Sequence, residues 1–394
     1  MLSKSNAPAW LVAAYYFVLF LALGAHLPYW PVWLEHWGLT TGEVGFFLGA
    51  ATIARILGTT VIPALGDFLA IRRALIVVTA LSTVAAHLAH LFTGTATGLL
   101  LLTLLSAVVM APAVPMGEAL GLRAAERHGF AYARVRAAGS IGFIIANVGA
   151  GAVMGSVGPD AALWTVIVGF SGVAVLGAIH PGGGAAAQTG TDRASLGDAR
   201  LVLRHPVFIT FALASVLGQS GHMVYYVYSV LDWRAQGISD LMIGWLWAFG
   251  VIAEVALMLG PGRRLVAAIG PAHALTIAAV AGAIRWFAMS FSPDVALLWP
   301  LQALHALSFG LAHLGAMAFL AAALPGRMIG AAHGVKSGVL GGGLNALVLF
   351  VAGWIVAGGG ISVAYWLAAV LSVLAMCLGM VLRRQWDGGR LVLA

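Results

Sequence analysis

The residues able to do chemistry in this chain stand apart from one another. Only 8% of its 394 residues are charged and 61% are hydrophobic, whereas a soluble domain carries about 25% charge. Several of the few charges interrupt long apolar runs: Arg55 in ATIARILGTT, Glu118 in VMAPAVPMGEALGL, Arg134 and Arg136 in YARVRAAGSIGF, Glu254 in GVIAEVALM, Arg285 in AGAIRWFAMS and Lys336 in HGVKSG. His222, His305 and His313 sit in similar surroundings. A charge inside hydrocarbon costs about 2.5–3.5 kcal/mol on insertion scales, so such residues face a partner or a water-filled space. Burial makes a carboxylate hold its proton and a nearby arginine makes it release it, so the arrival of a solute can tip the balance. Glu254 is the candidate proton carrier on that ground, with Arg55 and Arg285 as two cations in the chain's middle. A fixed Arg–Glu bridge is the alternative reading.

The other candidates are weighed in the same way. Glu118 and Arg136 lie near the same ends of adjacent antiparallel segments and can pair, as a binding element or as a structural ion pair. Pro112 and Pro115 before Glu118 free backbone carbonyls, and Gly139 and Gly142 after Arg136 allow close helix approach. His305, Phe309 and His313 share one broad helix face; an imidazole there titrates near physiological pH or is simply a hydrogen-bonded interior group. Arg134 and Lys336 read as snorkelling to an interface. Tyr16, Tyr225 and Tyr226, with Gln219 and His222, can line a cavity, and an aromatic lining with embedded cations suits an aromatic acid. Trp33 and Trp233 fit an interfacial belt.

The elements that must position these residues are membrane spans. Runs of about 20 apolar residues recur throughout, as spanning helices require. Polar breaks delimit twelve: 10–34, 42–65, 74–93, 97–121, 132–156, 161–180, 207–231, 240–260, 271–291, 296–323, 330–356 and 362–382. The first lacks a small-residue cleavage site and is expected to be retained. Cations gather on alternate loops, at Arg72, Arg73, Arg123, Arg127, Arg193, Arg200, Arg204, Arg263, Arg264, Arg327, Arg383 and Arg384, with Lys4 on the same side. The opposite loops carry Glu35, Glu43, Asp160, Asp232, Asp240 and Asp294, with Arg234 as their only cation. The positive-inside rule then puts both termini in the cytoplasm.

Residues 181–205 are Gly/Ala-rich with mixed charge and read as a cytoplasmic linker. They separate an N-terminal half, 1–180, from a C-terminal half, 206–394, of six spans each. A repeat supports the division. GLTTGEVG at 38–45 matches GISDLMIG at 237–244, and the same register pairs Tyr29 with Tyr228 and Arg55 with Glu254. Parallel halves with a site between them near mid-membrane are a transporter pattern.

Other classes find little support. The single Cys377 excludes an intramolecular disulfide and reads as a packing residue of the last span. No ligand set for a metal, no G-x-S-x-G element and no phosphate loop appears, so neither an enzyme nor a cofactor is expected. The net charge of +7 is scattered at span ends rather than gathered in a stripe, which argues against nucleic acid. A channel would not need two halves with paired internal charges.

Through LPYWPVWLEHWGL with ARILG, VPMGEAL, YARVRAAGSIGF, GQSGHMVYY, GWLWAFGVIAEV, IRWFAMS and LHALSFGLAHLGAM, the chain resembles the major facilitator superfamily over nearly its whole length. The branch is that of lactose permease and the nucleoside–proton symporters, and the phenylpropionate permease family looks nearest. The resemblance implies an all-α membrane fold of twelve helices in two pseudo-symmetric halves. It implies solute binding by Glu118 and Arg136, and proton coupling by Arg285 and His305. Gln302 and Ser308 stand where lactose permease has a lysine and its proton-carrying glutamate, so Glu254 takes that role here. A partial loop motif, PALGDFLAIRR, offers Asp67 with Arg72 or Arg73 as a cytoplasmic gate.

The expectation is a proton-coupled symporter of the bacterial inner membrane, monomeric, for an aromatic carboxylate such as 3-phenylpropionate. Glu254, Arg285 and His305 would serve the proton. Arg55, Glu118, Arg136, Gln219, His222, Tyr225, Tyr226 and His313 would serve the solute. A sugar or nucleoside symporter and a drug-efflux antiporter are the alternatives.

Overall fold

A computed structural model describes residues 6–183 and 196–393 as almost wholly helical. The helices are α1 (Ala7–Trp37), α2 (Thr41–Phe68), α3 (Arg72–His90), α4 (Ala96–Met110), α5 (Ala113–His128), α6 (Tyr132–Val157), α7 (Asp160–Ala178), α8 (Leu196–Arg204) and α9 (Pro206–Ala235). Then come α10 (Asp240–Leu259), α11 (Gly262–Ile269), α12 (Pro271–Met289), α13 (Val295–Ala303), a π-helical turn π1 (Ala306–Leu311), α14 (Ala312–Ala323), α15 (Gly326–Gly334), a second π segment π2 (Val335–Gly341), α16 (Gly342–Gly359) and α17 (Ile361–Gln385). Joined across the short break at α4–α5 and through the π segments, they give 12 candidate spans among the described residues. The fold is therefore the expected all-α membrane fold, and each predicted run corresponds to one span.

The differences lie at span ends. The fourth span continues to His128 and the seventh to Ala235, so Arg123, Arg127, Asp232 and Arg234 lie in helices rather than loops. A helix keeps its internal hydrogen bonds beyond the hydrocarbon and stops only at a breaker; Gly129 and Gly237, both at positive φ, supply the stops. Of the linker, 184–195 lie outside the described residues, as do Lys4 and Arg193. Residues 196–204 are not linker coil but α8, which packs on α15.

The turn after α1 and the turn after α9 bear out the internal repeat. Gly38 N–H donates to Glu35 O and Leu39 N–H to Leu34 O; Gly237 N–H donates to Arg234 O and Ile238 N–H to Trp233 O. The donors and acceptors correspond one for one in the register read from the sequence. Both glycines take positive φ, 121° and 79°, which a side chain would resist.

The chain forms two compact units. Unit 1 is Met1–Thr40, Phe47–Gln188 and Trp233–Ala248. Its centre is α1, which packs on α6 and α7, while α3 packs on α7 and α4. Glycines set the α1–α6 distance: a Cβ on Gly139 would meet Phe20 at 2.9 Å, and one on Gly142 would strike the Phe17 carbonyl. Unit 2 is Thr41–Phe46, Thr189–Asp232 and Phe249–Ala394. It is built on α12 against α17, with Gly379 against Thr276 and Gly282 against Ser372. Phe211 and Phe319 stack at 4.0 Å in its core.

Three readings of apolar surface are corrected. Trp33 and Trp233 are buried in protein rather than set in an interfacial belt, and Trp33 Nε1 donates to Asp160 (2.9 Å). An aromatic at a span end looks the same in sequence whether lipid or protein covers it. Cys377 is exposed on α17 and does not pack internally.

Candidate functional site

Unit 2 holds a buried polar network. Arg285 of α12 is fully buried. Its Nη1 donates to His305 Nδ1 (3.0 Å) and its Nη2 to Gln302 Oε1 (2.7 Å). Tyr225 of α9 donates its hydroxyl to the same Gln302 oxygen (2.9 Å). The guanidinium lies over the rings of Tyr225 (4.5 Å) and Trp286 (4.6 Å). Because His305 Nδ1 accepts from arginine, its proton sits on Nε2, which faces Glu254 Oε2 of α10 at 3.3 Å. The three groups form a line, Arg285 to His305 to Glu254, in which His305 accepts at Nδ1 and turns its Nε2 toward the carboxylate.

The π1 turn helps to build this line. A π turn is wider than an α turn and occurs frequently at functional sites. Here it carries Ser308, whose hydroxyl donates to His222 Nε2 (3.2 Å) while His222 Nδ1 donates to Gln219 O (3.2 Å). It also carries Gly310, whose missing side chain leaves room for Glu254: a Cβ would stand 3.2 Å from Glu254 Cγ. His305 and Phe309 stack at 5.1 Å, as their shared face predicts. Next along, His313 is exposed and within electrostatic range of both Glu254 and Lys336. Lys336 does not snorkel: it is buried in π2 with its Nζ 3.4 Å from Ser215 Oγ.

Of the proposed solute contacts in this unit, Tyr226 and Gln219 are partly exposed, whereas His222 and Tyr225 are sealed inside. Gln302 and Ser308, noticed in the sequence only as departures from a related pattern, are full members of the network. Their spacing with His305, every third residue, was the available signal.

Unit 1 arranges its charges differently. Arg136 Nε of α6 stands 3.6 Å from Glu118 Oε1 of α5, both part-exposed, and the guanidinium lies over Phe20 (4.2 Å). Tyr16 is buried, its hydroxyl 2.9 Å from that of Tyr132. Asp67 at the end of α2 pairs with Arg72 at the start of α3, and Arg73 packs against Gly183. Arg55 of α2 is exposed and has no hydrogen-bond or ion-pair partner for its guanidinium among the described residues. Nearby is a cluster that the sequence reading passed over: His26 stacks on Trp30 (5.3 Å), and His87 and His90 of α3 close around the same indole (5.2 and 5.1 Å). Among the described residues, no group of three or more His, Cys, Asp or Glu is arranged to hold a metal ion.

Comparison with known proteins places this architecture. The chain is 30% identical over 381 residues to a protein of Escherichia coli (strain K12) named as a probable 3-phenylpropionic acid transporter, covering 94% of this chain and 96% of that one. Solved structures share the fold at low identity. The nucleoside transporter NupG (D323A mutant) aligns with a TM-score of 0.81 at 15% identity, over 95% of this chain and 99% of its own. A bacterial homologue of the lysosomal transporter Spinster aligns at 0.76 and 12%, over 100% of both chains. The MFS_1 like family matches residues 9–367; the chain belongs to that family and is a multi-pass membrane transporter of the major facilitator type, not an enzyme.

Proposed function

We propose that the protein is a proton-coupled symporter of an aromatic carboxylate such as 3-phenylpropionate, working by alternating access of two six-helix halves, 1–180 and 206–394. In this reading it acts as a monomer in a bacterial inner membrane with both termini cytoplasmic. The observation that carries the proposal is the line Arg285–His305–Glu254. Arg285 is a permanent cation whose hydrogen-bond partners are neutral, and Glu254 reaches it through one imidazole. With Glu254 ionised the line is neutral overall. A proton on Glu254 leaves a net positive charge in a low-dielectric interior, and such a charge favours entry of an anion. Proton and carboxylate then promote each other's binding, which is the reciprocity that symport requires. The relative's name supports the choice of acid.

Uptake of radiolabelled 3-phenylpropionate into proteoliposomes, with and without an inward proton gradient, tests this. Gradient-driven accumulation is expected in the wild type. Glu254→Gln is expected to abolish accumulation yet keep exchange of internal for external acid, because a neutral amide carries no proton. A variant that still accumulates the acid removes Glu254 from the role.

A sugar or nucleoside substrate is the second reading. It is favoured by one feature, the part-exposed Glu118–Arg136 pair, which offers an acceptor and donors to hydroxyl groups. Asp67, Arg72 and Arg73 are proposed to close the cytoplasmic side.

A further inference from the structure

We propose that Arg55 and His26, in unit 1, form the pair that binds the substrate's carboxylate. This rests on the aromatic-acid reading and assigns a place for its charged end. Three arginines sit deep in the spans as candidates, and their geometry separates them. Arg285 is fully buried with both terminal nitrogens engaged. Arg136 has Glu118 at 3.6 Å and an aromatic face beneath it. Arg55 is exposed, and its donors meet nothing in the described protein.

Arg55 does not face lipid. Ile53, Leu57, Val61, Leu65 and Phe68 form the exposed apolar stripe of α2. At 100° per residue, Arg55 projects about 160–200° from Ile53 and Leu57, on the opposite side of the helix. It also lies deep. His26 is eleven residues before the end of α1 and Arg55 fourteen after the start of α2. At 1.5 Å per residue these are depths of roughly 16 and 21 Å, near the middle of a bilayer whose core is about 30 Å thick. An unpaired cation at that depth is costly, and no carboxylate among the described residues pairs with it.

His26 completes the site. It is partly exposed, lies within electrostatic range of Arg55, and its ring nitrogens have no hydrogen-bond partner among the described residues. Stacking on Trp30, with ring planes 16° apart, and edge contact with His87 fix its plane. Behind it, His87 Nδ1 donates to Thr83 O (2.8 Å) and His90 Nδ1 to Ala86 O (2.7 Å). That leaves both Nε2 atoms as buried acceptors, so neither His87 nor His90 offers a donor that could replace His26. Two donors within electrostatic range of each other, neither bonded to an acceptor among the described residues, are complementary to a carboxylate.

The test is exchange of radiolabelled 3-phenylpropionate across proteoliposomes without a proton gradient, alone and against 3-phenylpropionamide, its neutral isostere. The wild type is expected to prefer the acid. Arg55→Gln is expected to raise the half-saturating concentration of the acid about 30-fold and to erase the preference over the amide; Arg55→Lys and His26→Gln should each raise it about 5-fold. An Arg55→Gln protein that is folded, keeps half-saturation within about twofold and still prefers the acid overturns the pair. If Arg55→Gln does not fold, unchanged preference in both Arg55→Lys and His26→Gln overturns it instead. A wild type that exchanges uridine or lactose but no 3-phenylpropionate brings down the aromatic-acid reading and the pair together. Exchange of the acid that none of the variants alters brings down the pair alone.

Discussion

Arg55 and Arg285 are each a permanent cation in an apolar span, and the two units treat them in opposite ways. In unit 2 the arginine is sealed, with Gln302, His305, Tyr225 and Trp286 around its guanidinium. In unit 1 it is open, and its guanidinium has no hydrogen-bond or ion-pair partner among the described residues. A guanidinium already committed to neutral acceptors cannot grip a solute without breaking those bonds. It can still set the potential and the tautomer of its neighbours. A guanidinium with its donors uncommitted is placed to grip. Under the proposed function, the contrast assigns recognition of the anion to unit 1 and handling of the proton to unit 2.

Exchanging the two arginines for glutamine, one at a time, is the severest way to break that comparison. Arg285→Gln leaves His305 Nδ1 without its donor and frees the imidazole to change tautomer. Proton-driven accumulation and gradient-free exchange are both expected to fall by at least about 100-fold, since two charge-assisted hydrogen bonds disappear together. Uptake and exchange measured on one preparation give the answer. If Arg285→Gln only raises half-saturation and keeps accumulation, as a lost gripping residue would, the two arginines do not differ in kind.

The contrast was only half visible in the sequence. Twelve spans were legible because apolar runs of spanning length leave few other structures open. The repeat was legible because Gly38 and Gly237 each stop a helix at a turn that demands positive φ. Arg55, Glu254 and Arg285 stood out because each charge interrupts an apolar run. What the sequence hid depends on register and on contacts between helices. A π turn is defined by which carbonyl each amide finds, so π1 could not be read from composition. Gln302 and Ser308 looked like losses until the fold turned them toward Arg285 and His222. His87 and His90 lie a turn apart on α3, as His26, Trp30 and Trp33 share a face of α1. Neither pattern means much until the two helices meet. The same limit made Lys336 look like an interfacial residue.

Glu118→Gln probes the smaller charge pair of unit 1. At 3.6 Å and part-exposed, an ion pair of this kind contributes about 0.2–1 kcal/mol. For a transporter that binds an acid through Arg55, half-saturation for 3-phenylpropionate should shift by less than about fivefold. A shift beyond about 30-fold, or loss of uridine or lactose exchange in a wild type that shows it, would move the recognition site to Glu118 and Arg136. Half-saturation curves for acid and hydroxylated solutes, run side by side, decide between them.

The smallest expected effect separates a buried histidine that only stabilises from those placed beside Glu254. His180 follows α7 in unit 1, buried, with its ring edge-on to Tyr15 at 5.3 Å. Its Nδ1 accepts from Gly182 N–H (3.1 Å), so its proton resides on Nε2. Burial, with the Arg73 guanidinium adding to it, lowers this imidazole from 6.5 to about 4. Between those values the unfolded chain binds a proton that the folded chain refuses. The resulting stability is full above pH 6.5 and declines as pH falls toward 4. The decline is at most about 1.4 kcal/mol per pH unit. His180→Asn keeps an acceptor for Gly182 but does not titrate. The variant should therefore gain on the wild type as the medium is acidified, read as the difference between their thermal unfolding midpoints in detergent. The pH profile of 3-phenylpropionate exchange should be the same in both proteins, because His180 lies outside the line from Arg285 to Glu254. A difference in midpoints that does not change with pH would mean that His180 is not held neutral. A shifted exchange profile would mean that unit 1 also handles the proton, and the division between the two units would fail.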